Sequence, residues 1–145
     1  TQITDYLMTL VYSTENVNGR LGKSIVIACI DKEFHQLGAK MVADIFELSG
    51  WNSFFLGANV PKGEIIKFIE EKKPDLIGLS LNLYINVVRL FKVIEDIKEK
   101  FPDIPIIVGG QALIEQGNDS LKQFDNVQFI PSLEELDRYI SSVVK

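Results

Sequence analysis

Short runs of aliphatic and β-branched residues recur along this chain, and longer helical patterns separate them. Residues 24–30 (Ser-Ile-Val-Ile-Ala-Cys-Ile) form the first run, 53–56 the second, 75–83 the third, 104–108 the fourth and 127–130 a fifth. Each is short enough for a buried strand, and each is followed by a stretch of helical period. Leu37, Met41, Ile45 and Leu48 are spaced to line one helical face, joined by Val42 and Phe46, and Gly50 supplies a helix stop. Pro61 opens a second helix carrying Ile65, Ile66, Phe68 and Ile69. A third is expected over 87–100, with Leu90, Phe91, Ile94 and Ile97 inward. Ser132 with Glu135 reads as a capping box ahead of a last helix whose inner face is Leu133, Leu136, Ile140 and Val143.

Parallel strands need crossover connections, and helices are the usual crossovers. Alternation of this kind therefore implies an α/β domain, a five-stranded parallel sheet with helices on both faces and right-handed crossovers. Five strands suit the flavodoxin-like (Rossmann-like) order 2-1-3-4-5, whose ligand crevice opens where strands 1 and 3 part. The loops after strands 1, 3 and 4 then meet at one rim.

Residues 1–22 stand outside this rhythm. Ile3, Leu7, Leu10 and Val11 are helically spaced, and 16–22 is rich in Asn and Gly, as a linker is. This segment reads either as the end of a helix packed on something else or as a terminal helix folded back on the domain. The first residue is Thr1 rather than methionine, as expected of a piece of a longer protein.

Composition narrows the classes of function. A chain of 145 residues can bury one real core. A formal charge of −5 without a Lys/Arg cluster argues against direct contact with nucleic acid. No apolar run approaches the ~20 residues of a membrane span, and no secretory signal heads the chain. The single Cys29 lies within a strand pattern and has no partner, which points to a reducing cytoplasm and a thiol that serves as a small core residue.

The rim loops exclude some chemistry. The first strand–helix turn carries Glu33, His35 and one glycine, Gly38, where a pyrophosphate site needs several glycines for close backbone approach. Asp31 could imitate a phosphoacceptor, but Gly22 and Lys23 replace the acidic pair of a receiver domain, and no lysine follows the last strand. Asp31 is expected to be a solvated loop acid or a cap for the first helix. His35, the sole histidine, cannot complete a tetrahedral zinc site with one nearby carboxylate. A single axial imidazole does suit a metal held equatorially by a macrocycle, with heme and corrinoids as the candidates. Glu33, two residues away, is close enough in a loop to accept the far ring N–H.

Glu33-x-His35-x-x-Gly38 after strand 1, Ser80-Leu-Asn82 after strand 3 and Gly109-Gly110 after strand 4 together resemble the cobalamin-binding domain family. That family carries Asp/Glu-x-His-x-x-Gly, Ser-x-Leu or Ser-x-Thr, and Gly-Gly in this order on this fold. The resemblance covers about 23–143 and makes 23–145 the cobalamin-binding domain, with 1–22 the remnant of a preceding helical cap domain. It implies cobalamin bound base-off, with His35 as the lower axial cobalt ligand in place of the cofactor's own benzimidazole. Glu33 would then hydrogen-bond His35, and Gly38 would let the first helix start close to the inserted nucleotide tail. Ser80 would hydrogen-bond the buried benzimidazole, and Gly109 and Gly110 would leave room for the nucleotide end. Asn82, Tyr84 and Asn86 belong to the same cofactor-binding set. Asn86 stands where methyl carriers place small hydroxyl residues that complete a histidine relay.

Glu33 in place of Asp, and Gly-Gly-Gln111, look closer to the sensory branch of the family than to methionine synthase. The expected function is thus a cobalamin-binding sensory or regulatory module without catalytic residues of its own. A corrinoid methyl carrier working with methyltransferase subunits is the alternative, and a heme sensor of the same fold a further one. The expected partners are the helical cap domain or a separate protein, with a homo-oligomer as another possibility. Neither nucleic acid nor membrane is expected.

Overall fold

The computed structural model describes residues 21–144. Its elements are β1 (Ser24–Ile30), α1 (Leu37–Leu48), β2 (Asn52–Val60), α2 (Lys62–Lys72) and β3 (Leu76–Ser80), then a 3-10 turn at Tyr84–Asn86 and α3 (Val87–Lys100). β4 (Ile106–Gly109), α4 (Ala112–Gln116), a second 3-10 segment (Asp119–Gln123), β5 (Val127–Phe129) and α5 (Leu133–Val144) complete the order. The five strands form one sheet in the order β2-β1-β3-β4-β5, and every pairing is parallel. The helix and linker expected over 1–22 lie, up to residue 20, outside the described residues.

Side-chain alternation divides the core in two. Ile25, Ile27 and Cys29 of β1 point to one face with Leu76 of β3 and Ile107 of β4, and there they meet α1 and α5. Val26, Ala28 and Ile30, with Ile77, Leu79, Ile106 and Val108, point to the other, under α2 and α3. Central strands buried on both faces read as continuous apolar runs, which is why they were legible without alternation.

Several boundaries differ from the sequence expectation. β2 runs to Val60, beyond the expected 56, because left-handed Gly57 (φ 93°) and Asn59 (φ 52°) bend the strand without ending it, and its register against β1 shifts twice. β3 stops at Ser80 rather than 83. The next N–H groups, of Asn82 and Leu83, turn to the Glu33 carboxylate. α4 and the second 3-10 segment were not expected. They are short, and their buried Leu113 and Leu121 fall in a polar stretch without helical period.

The inner face of α1 is also corrected. Ala39, Ala43, Ile45 and Phe46 are buried, whereas Leu37 is 72% exposed and Met41 and Leu48 are half-buried. Alanines let the helix lie close to the sheet, so the larger residues flanking that stripe are turned outward. Gly50 (φ 100°) ends α1 as expected, and the Glu135 N–H donates to Ser132 Oγ at 3.2 Å ahead of α5. The Glu135 carboxylate pairs with Arg138 at 2.8 Å. Asp31 is not a helix cap. It pairs with Arg89 of α3 at 3.6 Å, and Gln36, which precedes α1, makes no side-chain cap.

Candidate functional site

The loop after β1 is tightly determined for a segment with no helix or strand. Lys32 takes a left-handed conformation (φ 71°). Its N–H donates to Asn59 Oδ1 at 2.8 Å, and the Asn59 N–H donates back to the Glu33 carbonyl at 2.7 Å. The end of β2 thus fixes the loop that carries His35, a role for Asn59 that only its place beside β1 reveals.

Glu33 is fully buried. Its carboxylate accepts the Asn82 N–H at 2.6 Å, the Leu83 N–H at 3.1 Å and Asn86 Nδ2 at 2.7 Å. Burying a carboxylate is costly unless it is well hydrogen-bonded, and three donors meet that condition. The His35 ring is not among its partners, contrary to the expectation of a Glu33–His35 bond. The carboxylate reaches across to the loop after β3 instead, and only the His35 backbone joins the network. Asn86 does reach Glu33, as its place in the motif implied, and also donates to the Lys32 carbonyl at 3.2 Å.

Asn82 connects all three motif loops. Its Nδ2 donates to the His35 carbonyl at 3.2 Å and to Ser80 Oγ at 3.4 Å, and its Oδ1 accepts the Gln111 N–H at 3.2 Å. Gly110 is required by this closeness. It has φ 110°, and a Cβ there would lie 2.2 Å from the Leu81 carbonyl oxygen. Gly109 is less demanding, with 3.9 Å to the nearest backbone atom. The Cys29 thiol donates to the His35 carbonyl at 3.7 Å. Burial, then the nearby Glu33 charge, push that thiol up to about 11, against a smaller opposite effect of a Ser80 hydrogen bond.

Below these loops a cleft of about 460 Å³ separates α1 from α5 and bares the sheet between them. Small-molecule sites span roughly 300–1,000 Å³. His35, Gly38, Ser80, Asn82, Gly109 and Gly110 all line it. Glu33 and Asn86 stand buried behind its mouth, and Tyr84 lies outside it, 44% exposed. Gly78, in the middle of β3, also lines the cleft and was missed. An isolated glycine inside a strand pattern, a signal of close approach, could have found it. Around the mouth, Phe34, Leu37, Leu83, Tyr84, Ile85, Val88 and Ile114 form an exposed apolar rim. Such a patch on a small domain marks a binding surface.

Residues 23–127 match the family described as the B12 binding domain. The chain belongs to that family. The cofactor of this B12-binding domain is cobalamin, which decides between the two macrocycles the lone histidine allowed. The chain is 25% identical over 100 residues to trimethylamine corrinoid protein 1 of Methanosarcina acetivorans, covering 68% of this chain and 46% of that protein. It thus spans about half the length of the curated relatives it matches. In fold, it is similar to a cobalamin-binding protein from Desulfitobacterium hafniense (TM-score 0.72, 21% identity, 96% of this chain and 71% of the other). A second likeness is to the methanol:cobalamin methyltransferase complex of Methanosarcina barkeri (TM-score 0.75, 19% identity, 83% and 46%).

The residues present fit this cofactor. The described residues contain no cluster of His, Cys, Asp and Glu able to hold a bare metal ion. They do offer one exposed imidazole at the mouth of an apolar cleft, and its ring makes no hydrogen bond among the described residues. A macrocycle supplies the remaining ligands itself. Gly38, with nothing within 4 Å of where its Cβ would be, leaves the cleft mouth open beside α1. No helix among the described residues is long and apolar enough to cross a membrane.

Proposed function

We propose that this domain carries cobalamin base-off for methyl transfer, with His35 as lower axial ligand and the nucleotide tail in the cleft between α1 and α5. The observation that carries the reading is the position of His35, whose backbone is held by Asn82 and Cys29 while its ring is left free at the cleft mouth. The bound corrinoid supplies a cobalt centre able to take up and release a methyl group. The protein's own residues hold and orient it. Glu33, Asn82 and Asn86 lock the loops, Ser80 offers a hydroxyl inside the cleft, and Gly109 keeps its far side open. Gly110, expected to leave room for the nucleotide, instead makes room for the Leu81 backbone.

The likeness to a trimethylamine corrinoid protein supports the carrier over the sensory module. Donor and acceptor activation then belong to a separate methyltransferase, which meets the exposed apolar rim together with a helical cap that residues 1–22 lead into. One observation favours the sensory module instead. The His35 ring has no hydrogen-bond partner among the described residues, and Asn86 offers Glu33 an amide rather than a hydroxyl, so no proton relay backs the imidazole, which suits lasting ligation better than ligand exchange.

Spectral titration with cobalamin tests the core of this reading. Wild type is expected to give a base-off, histidine-ligated spectrum, and His35→Ala to lose that signature and at least part of the affinity. An unchanged spectrum and affinity in His35→Ala would refute ligation by His35. Methyl transfer that depends on an added methyltransferase supports the carrier, and a domain inert to every methyltransferase but responsive in its packing to the upper ligand supports the sensor.

A further inference from the structure

The floor of the cleft consists of two rows of neighbouring residues. Ile27, Gly78 and Ile107 stand side by side on β1, β3 and β4, and Ser80 and Gly109 form the next row toward the mouth, with Cys29 buried beside them. Gly78 is a notch between two isoleucines, since a Cβ there would lie 3.2 Å from Ile27 Cγ1 and 3.7 Å from Ile107 Cγ1. Val42 of α1 and Leu136 of α5 supply apolar walls. On this floor the polar side chain is the Ser80 hydroxyl.

Of the polar side chains nearer the mouth, Gln36 and Gln111 are solvent-exposed rather than on the floor, and Asn82 and Ser132 are committed elsewhere. Asn82 uses its amide on His35, Ser80 and Gln111. Ser132 Oγ caps α5. Any heterocycle that reaches the floor therefore meets one hydroxyl and otherwise hydrocarbon.

We propose that this cleft selects its corrinoid by the base of the nucleotide tail, accepting a benzimidazole and rejecting a purine. The inference rests on the base-off reading above. A benzimidazole attached through one ring nitrogen keeps a single nitrogen, which the Ser80 hydroxyl satisfies, and its remaining edge is apolar. A purine brings further ring nitrogens and, in adenine, an exocyclic amine. Those groups would leave water without a partner, and a buried unpaired polar group weakens binding by about 10- to 100-fold.

The test uses the full chain and three probes, cobalamin, adeninylcobamide (a purine tail) and cobinamide (no tail), titrated by visible absorption. Val42→Thr is measured alongside, because it keeps the wall's shape and adds a hydroxyl. Cobalamin is expected to bind about 10- to 100-fold more tightly than adeninylcobamide, and Val42→Thr to lower that ratio severalfold. Each base's own affinity for cobalt is the same in both proteins and cancels from the change in ratio. Equal binding of the two cobamides, or a ratio that a folded Val42→Thr leaves unchanged, overturns the selectivity and leaves the base-off reading standing. Should Val42→Thr not fold, the wild-type ratio decides once each cobamide's own base-off equilibrium, measured without protein, has been divided out. Cobinamide binding as tightly as cobalamin, together with a base-on spectrum of the bound cobalamin, overturns both, since the tail would then lie outside the cleft.

Discussion

Glu33 departs from the role that its place in the motif implied. At this position a carboxylate was expected to steady the imidazole two residues on. Instead it gathers three donors from the loop after β3 and is fully buried there. Glu33→Gln replaces one acceptor oxygen by an amide NH2 group, itself a donor, that faces N–H donors. Leaving such donors unpaired is expected to cost about 1–3 kcal/mol, read as a lower urea midpoint. Cobalamin affinity should fall with it, because the loop that presents His35 loosens.

Cys29 makes a second prediction at this scale. Its ordinary value of 9.0 rises to about 11 in the fold, so the folded chain keeps the thiol proton where the unfolded chain has released it. Its contribution to stability is complete below pH 9 and is lost as pH rises toward 11. Wild type should lose stability over that window by more than Cys29→Ala does in parallel urea titrations. The folded thiol should also resist alkylation near neutral pH, since the thiolate is the nucleophile.

At the scale of elements, two glycines separate fold from function. Gly110 has φ 110° and backbone of Leu81 where a side chain would go. Gly110→Ala is expected to destabilise the domain by about 2–4 kcal/mol, from a strained conformation together with a clash. Gly38 is the opposite case. It sits in the first turn of α1 with open space around it, so the fold has no need of a glycine there. Gly38→Ala should leave thermal stability unchanged or raise it by up to about 1 kcal/mol, yet weaken cobalamin binding by filling the cleft mouth. A melting curve and a spectral titration on the same variant check both halves.

Element boundaries were legible where local chemistry sets them. Pro61, Gly50 and the Ser132–Glu135 pair start or stop helices through their own backbone geometry or hydrogen bonds, and each stands where the sequence placed it. They were illegible where a distant residue decides. β3 ends early because Glu33, some fifty positions away in the chain, takes the next N–H groups. The inner face of α1 was misread because Leu and Met outweigh Ala in any hydrophobic pattern, whereas packing against a sheet rewards close approach.

At the scale of the whole molecule, the apolar rim is a feature left exposed among the described residues. Ile85 is 86% exposed, and neighbouring Leu83, Tyr84 and Val88 continue the patch. Ile85→Glu is expected to change folding stability by no more than about 0.5 kcal/mol, while lowering cobalamin retention through gel filtration. A substantial loss of stability would mean that Ile85 serves the fold instead.

The sequence by itself determined the parallel sheet, its order and the three loops that meet at its rim. Strand and helix periods, crossover handedness and short motifs are local properties, and they carry that much. It also singled out His35, because one imidazole among motif glycines has few other uses. Only the tertiary structure decided that Glu33 clamps a neighbouring loop, that Asn59 holds the histidine loop, and that Asn82 joins all three motifs. It alone placed Gly78 as a notch between Ile27 and Ile107. The physical reason is common to all four. A hydrogen bond or a steric notch depends on which strands become neighbours and on the reach of particular side chains, and neither is written in the spacing of residues along one strand or helix.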